Sequence, residues 1–284
     1  MQWLQDTAFI INYYLKRAHW LSLDVVAGAV ITHIIASRLP DGHGKVSWAS
    51  TLLVGIAVFM IYVVDRLLDN RKSDHSPTPR HDFHVKNEPL LIKILLGLGL
   101  ISLVLLFWVP SKVLWFGFGL ASLVGLYLWF AFRISAKHTA QVFKEPLVAI
   151  VYTAGIWGPA ILTETTLAWE SPVLMGLYGL LAFQNLLLFS WFESLELDEG
   201  FSLAIAWGTE TVSSVLNWLL GLIIVGALAV IIFTTNRYCV RAAIVVVVMS
   251  GCMHVLKRSS AKVLPDERYR PLGDGIFLIS LWLL

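Results

Sequence analysis

Apolar residues in this chain do not alternate with polar ones at a strand or surface-helix period; they come in long, nearly unbroken runs. The runs occupy residues 21–37, 48–64, 90–109, 113–132, 146–162, 172–192, 212–233, 238–256 and 272–284. A helix crosses the hydrocarbon layer with about 20 apolar residues, a barrel strand with about 9–11. Only helices and closed barrels satisfy the backbone in lipid, and these runs are too long for barrel strands. The pattern predicts an all-α membrane protein of about nine transmembrane helices. The last run is short, so a tilted, incomplete or partly inserted helix is expected there. No low-complexity tract or linker interrupts the series, so residues 1–284 are expected to form a single transmembrane domain, with residues 1–20 lying at the interface. Met1-Gln2-Trp3 and Asp6 do not make the basic start of a signal peptide, and the first run is expected to serve as its own insertion signal.

Composition agrees with the pattern. Apolar residues make up 57% of the 284 and charged ones 14%, with a mean hydropathy of +0.74, against about 25% charged in soluble domains. No nucleic-acid partner is expected. Cys239 and Cys252 fit neither a disulfide framework nor a zinc spacing and are read as packing residues. Sixteen of the 21 Lys and Arg residues fall in the N-terminal segment, in the loops after runs two, four and eight and, with Lys93, in the first turn of run three. The excess of positive charge places those segments on the cytoplasmic side, most simply in a bacterial inner membrane. The loop after run six belongs to the same side but is acidic, with Glu193, Glu196, Asp198 and Glu199.

Two clusters carry candidate chemistry. In Asp65-Arg66-Leu67-Leu68-Asp69, the two carboxylates are four residues apart and share a helix face. They would either pair with Arg66, Arg71 and Lys72 as a solvated helix end or hold Mg²⁺, which takes one or two carboxylates together with substrate phosphate. Downstream, Arg80 and Lys86 are candidates to hold phosphate. His81 and His84 read first as loop packing and second as metal ligands. The second cluster, Glu193-Ser194-Leu195-Glu196-Leu197-Asp198, follows an apolar run containing Gln184 and Asn185, polar groups of the kind that face a bundle interior.

The order of these features resembles the UbiA superfamily of intramembrane prenyltransferases, which have acidic motifs after helices two and six. Asp65-Arg66-Leu67-Leu68-Asp69 is similar to part of the first motif, Pro77-Thr78-Pro79 to its proline-rich tail, and Lys144-Glu145-Pro146 to the start of helix five. Tyr14-Leu15-Lys16-Arg17-Ala18-His19-Trp20 looks like the basic-aromatic entry to helix one, and Leu203-Ala204-Ile205-Ala206-Trp207-Gly208 like the segment closing the second motif. Ile61 and Tyr62 stand where the family has an Asn-Asp pair, Ser76-Pro77 where it has Arg-Pro, and His81 where it has Gly.

The resemblance implies a UbiA-like bundle and Mg²⁺-dependent transfer of an isoprenyl group from a polyprenyl diphosphate to a lipophilic acceptor in the membrane lipid. It makes Asp65, Asp69, Glu193 and Asp198 the catalytic residues, and Asp65, Asp69, Asp74, Glu193, Glu196 and Asp198 the metal ligands. Arg71, Arg80, Lys137, Lys144 and Asn185 would bind substrate, with Tyr127 and Tyr152, beside Trp129, Phe130 and Trp157, facing an allylic cation. Three alternatives stand beside it: an isoprenoid diphosphate cyclase or phosphohydrolase on the same scaffold, a non-catalytic lipid-binding protein, and a transporter using Asp24, His33, Glu164 and Asn185.

Overall fold

The computed structural model describes residues 13–70, 79–133, 142–164, 166–196 and 202–284. The described chain is helical. In order it forms α1 (Tyr13–Trp20), α2 (Leu23–Ser37), α3 (Trp48–Asn70), α4 (Pro79–Leu105), α5 (Ser111–Arg133), α6 (Lys144–Thr163), α7 (Glu170–Glu196), α8 (Leu203–Trp207), α9 (Thr209–Phe233), α10 (Arg237–Arg258), α11 (Ser260–Val263) and α12 (Tyr269–Ile276). Short 3₁₀ turns cover Leu106–Trp108 and Pro265–Glu267, and a longer one, Phe277–Leu283, follows α12.

Seven of these helices are long and apolar enough to cross a membrane: α3, α4, α5, α6, α7, α9 and α10. The pair α1 and α2, bent by 68°, makes an eighth. The expected ninth is built differently from the rest. At 1.5 Å per α-helical residue and 2.0 Å per 3₁₀ residue, Tyr269–Leu283 reaches about 26 Å, close to the hydrocarbon thickness. Its far end lies by the C-terminus of α2, where Arg38 Nη1 donates to the Leu284 carbonyl at 3.2 Å. The short run therefore gains reach by tightening into 3₁₀ geometry, packed against α2 and α10.

The core runs through α2, α6, α7, α9 and α10, with the C-terminal segment closing the ring. Val212, Ile223, Ala227 and Val230 of α9 and Ala243 and Met249 of α10 are fully buried, and α9 packs on both α7 and α10. A buried hydrogen bond from Ser250 Oγ to Gln184 Oε1, 2.7 Å, ties α10 to α7. Helices α4 and α5 bury only 11% of their apolar windows and stand at the periphery, facing lipid.

Residues 79–86, expected as loop, belong instead to α4, which starts at Pro79. Proline suits the first helical turn, where its missing N–H costs nothing. His84 is buried there, its Nδ1–H donating to the Arg80 carbonyl at 2.9 Å. That is helix packing, in keeping with the packing reading of this residue.

Candidate functional site

Because the helices alternate in direction, one end of the bundle collects the C-termini of α3, α5, α7 and α10 and the start of α2, α4, α6 and α12. The ionisable groups gather at that end. Asp65 and Asp69 lie in the last turns of α3. Arg66 Nη1 stands 3.8 Å from Asp69 Oδ2, and Asp69 is 42% exposed, so this pair is a weak surface contact. Lys144 opens α6 and lies within electrostatic reach of Asp65, Asp69, Arg66 and the Tyr127 hydroxyl of α5. Three helices thus bring together four residues singled out from sequence: Asp65, Asp69, Tyr127 and Lys144.

The neighbouring wall is built by α7 and α12. Phe192 and Tyr269 stack with ring centroids 4.6 Å apart and planes at 21°; both are fully buried. The next residue on each chain is charged, so the stacked rings hold Glu193 against Arg270, whose Nη2 donates to Glu193 Oε1 at 2.5 Å. Arg270 Nε also lies 3.5 Å from Glu267 Oε2. The Tyr269 phenol also lies within electrostatic reach of Arg270. Arg270 was one basic residue among many in the sequence, and nothing in its spacing pointed to Glu193.

Arg80 joins the two walls. Half-buried at the start of α4, it is near Arg66 on one side and Arg270, Glu267 and Glu193 on the other. Burial, followed by repulsion from the two guanidiniums, pushes its pKa down, although a guanidinium stays protonated at any ordinary pH. Its Nε is buried without a hydrogen-bond partner. An unpaired, desolvated donor between two further cations makes a strong demand for an anion.

Deeper in, Tyr152 stacks on Tyr178 with centroids 6.5 Å apart, and Tyr178 meets Trp157 at 5.9 Å and Phe277 at 5.7 Å. Tyr152 and Trp157 therefore pack into the bundle around Tyr178. Trp129 and Phe130 do not: they are 52% and 53% exposed on the lipid side of α5.

Two segments tied to the family resemblance also meet. Glu145 Oε1 accepts from the Leu203 N–H at 3.2 Å, and Ser190 Oγ from the Ala204 N–H at 3.2 Å. These contacts cap the otherwise unsatisfied start of α8. Gly208, with φ of +83°, then turns the chain into α9, a backbone state open to glycine at no side-chain cost.

A third group was not assembled from the sequence. His19 closes α1, Asp24 opens α2 and Asp274 lies in α12, with one donor atom from each within 4.8 Å of the others. Asn185, also a predicted site residue, is buried beside Asp274. Tyr62 of α3 lies within electrostatic reach of Asp274, Arg66, Asp65 and Asp24. Among the described residues, Asp65, Asp69 and Glu193 do not converge into a group of three potential ligands. Arg71, Asp74, Lys137 and Asp198, and the side chain of Glu196, lie outside the described residues.

No family model and no curated protein matches the chain. A solved structure described as that of a digeranylgeranylglyceryl phosphate synthase in membranes is similar, with a TM-score of 0.47 and 18% identity over 91% of this chain and 92% of that one.

Proposed function

We propose that the charged end of the bundle binds the diphosphate of an isoprenyl diphosphate and that the chain transfers the isoprenyl group to a lipophilic acceptor within the membrane. The observation that carries this reading is Arg80, whose buried Nε has no hydrogen-bond partner and which lies within electrostatic reach of two further guanidiniums, those of Arg66 and Arg270. Arg66, Arg80 and Lys144 come from three helices, Arg80 lies near Arg66 and keeps a buried unpartnered Nε, and a diphosphate supplies several charged oxygens at once. The order of motifs along the sequence supports the same class of ligand.

The chain's own residues would do the following. Arg80 and Lys144 grip the diphosphate, and the apolar bundle keeps water from the reacting carbon. The allylic C–O bond breaks with its electron pair leaving on the diphosphate, the acceptor forms the new bond to that carbon, and the acceptor's proton passes to a basic oxygen of the site. The inward rings of Tyr152 and Trp157 present negative faces to developing positive charge. Asp65 and Asp69 are hard oxygen donors on one helix face and fit Mg²⁺, with Asp74 and Asp198 as further candidates; Glu193 is already engaged by Arg270. When bound, such an ion supplies charge neutralisation of the leaving diphosphate. The sidedness of the charge supports a cytoplasmic setting for this end.

Thermal-shift or calorimetric titration of the detergent-purified protein with isoprenyl diphosphates of several chain lengths, with and without Mg²⁺, tests the proposal. Binding that strengthens with Mg²⁺ is expected, and product analysis with lipid acceptors should then show diphosphate release coupled to a prenylated lipid. Absence of Mg²⁺-dependent binding at every chain length would overturn it.

A further inference from the structure

The cluster where α1, α2 and α12 meet is organised for a cation rather than an anion. The backbone reverses at Ser22, whose φ of +55° is unusual for a residue other than glycine. This bend folds His19 back over the first turn of α2, so that His19 Nδ1 lies 2.6 Å from Asp24 Oδ2. The other oxygen, Asp24 Oδ1, accepts the Val25 N–H at 2.9 Å, which fixes the carboxylate with Oδ2 turned inward. Both side chains are 16% exposed. Asp274 arrives from the opposite end of the sequence and brings the second carboxylate, with all three donor atoms within 4.8 Å of one another.

A second, independent observation marks this spot. Asn185 is 6% exposed, and its Oδ1 has no hydrogen-bond partner. That oxygen lies 3.0 Å from where a side chain on Gly273 would begin, beside Asp274, and the Asn185 amide faces the Asp274 carboxylate. A buried amide oxygen without a donor costs stability unless something electropositive meets it. The nearest cation, Arg270, is engaged by Glu193 and Glu267.

We propose that His19, Asp24 and Asp274, with Asn185 Oδ1 as a further oxygen donor, bind one divalent first-row transition metal ion such as Mn²⁺, Fe²⁺ or Zn²⁺. One imidazole, two carboxylates and an amide oxygen form a mixed donor set. Imidazole favours transition ions over Mg²⁺. Donors at about 2.0–2.2 Å from an ion lie at most about 4.4 Å from each other, comparable with the 4.8 Å within which the three donor atoms lie. The ion replaces the proton shared by His19 and Asp24, and that proton goes to water. The site stands independently of the diphosphate reading, because it uses different helices and needs no phosphate.

Pulsed EPR of the purified full-length protein with added Mn²⁺ and no diphosphate decides the matter. The expected result is one bound Mn²⁺ per chain whose spectrum carries nitrogen modulation from an imidazole ligand, a signature that an all-oxygen site at Asp65 and Asp69 would not give. His19→Gln should abolish the modulation, and Asp274→Asn should weaken binding by at least about tenfold, while Asp69→Asn leaves the nitrogen signal in place. Absence of nitrogen modulation in the unmodified protein overturns the proposal whether or not any variant folds. Its persistence in a folded His19→Gln protein overturns it equally.

Discussion

The Glu193–Arg270 contact offers the sharpest test of how α12 is held against α7. At an effective dielectric of 20, unit charges about 4 Å apart attract by about 4 kcal/mol. Part of that is cancelled by desolvation, since the Arg270 side chain is 14% exposed and Glu193 36%. A net coupling of about 1–3 kcal/mol follows for a half-buried pair. Arg270→Gln also leaves Glu193 and Glu267 without their hydrogen-bonding cation, with Arg80 the remaining guanidinium in reach, so the single substitution should cost about 2 kcal/mol, below the fully buried case because water reaches Glu193. With about 2–3 °C of Tm per kcal/mol at this size, Arg270→Gln should lower Tm by about 4–6 °C. Glu193→Gln should lower it less. Thermal unfolding in detergent, followed by circular dichroism, should show the double variant costing at least about 1 kcal/mol less than the sum of the singles. If the two effects simply add to within about 0.5 kcal/mol, Glu193 is not held by Arg270. It would then be free to act as the metal ligand first expected.

Other substitutions probe the surrounding structure. Phe192→Ala removes a fully buried ring from its stack on Tyr269 and should cost about 3–5 kcal/mol, read as a Tm loss larger than that of Arg270→Gln. Gly273→Ala would place a methyl carbon 2.4 Å from Phe189 Cε1 and 3.0 Å from Asn185 Oδ1, an overpacking cost of about 1–3 kcal/mol. A Tm within 1 °C of the parent would show that α12 sits less tightly on α7 than described. Asp69→Ala should abolish Mg²⁺-dependent diphosphate binding, whereas His84→Ala, removing a ring that bonds to the Arg80 carbonyl of its own helix, should weaken it modestly. Equal losses in calorimetry would move the ligand site toward the histidines.

Hydropathy revealed the crossings because lipid demands continuous apolar length, and it reported less where that demand is relaxed. Residues 79–86 are polar and so looked like loop, yet they begin α4; helix formation there rests on Pro79 at the first turn and on the buried His84, neither of which a hydropathy average registers. The final run looked too short because the expectation assumed 1.5 Å per residue, and Phe277–Leu283 adopts the longer 3₁₀ rise. Asp65 and Asp69 were readable as a pair because one helix sets their spacing. Asp24 stood out as a polar residue at the edge of an apolar run, but its partner Asp274 lies at the other end of the chain and passed unremarked. Pairings of that kind arise from which helices pack together. Uniformly apolar helices hide their inward face, so neither the approach of α12 to α2 nor the hold of Arg270 on Glu193 had a local signal.

The charged end consequently divides into two parts of different make-up, and the division follows from chain path. Arg66, Arg80 and Lys144, with Asp65 and Asp69 among them, come from α3, α4 and α6, on the side of α4 and α5, the helices that bury least. Asp24, Asp274 and Asn185 come from α2, α12 and α7, within the tightly packed ring. Arg270 stands between the two parts and is engaged by Glu193 and Glu267. Tyr62 stands among Asp274, Arg66, Asp65 and Asp24, a neutral phenol where the two parts meet, and the low dielectric of the bundle strengthens every charge interaction on either side of it.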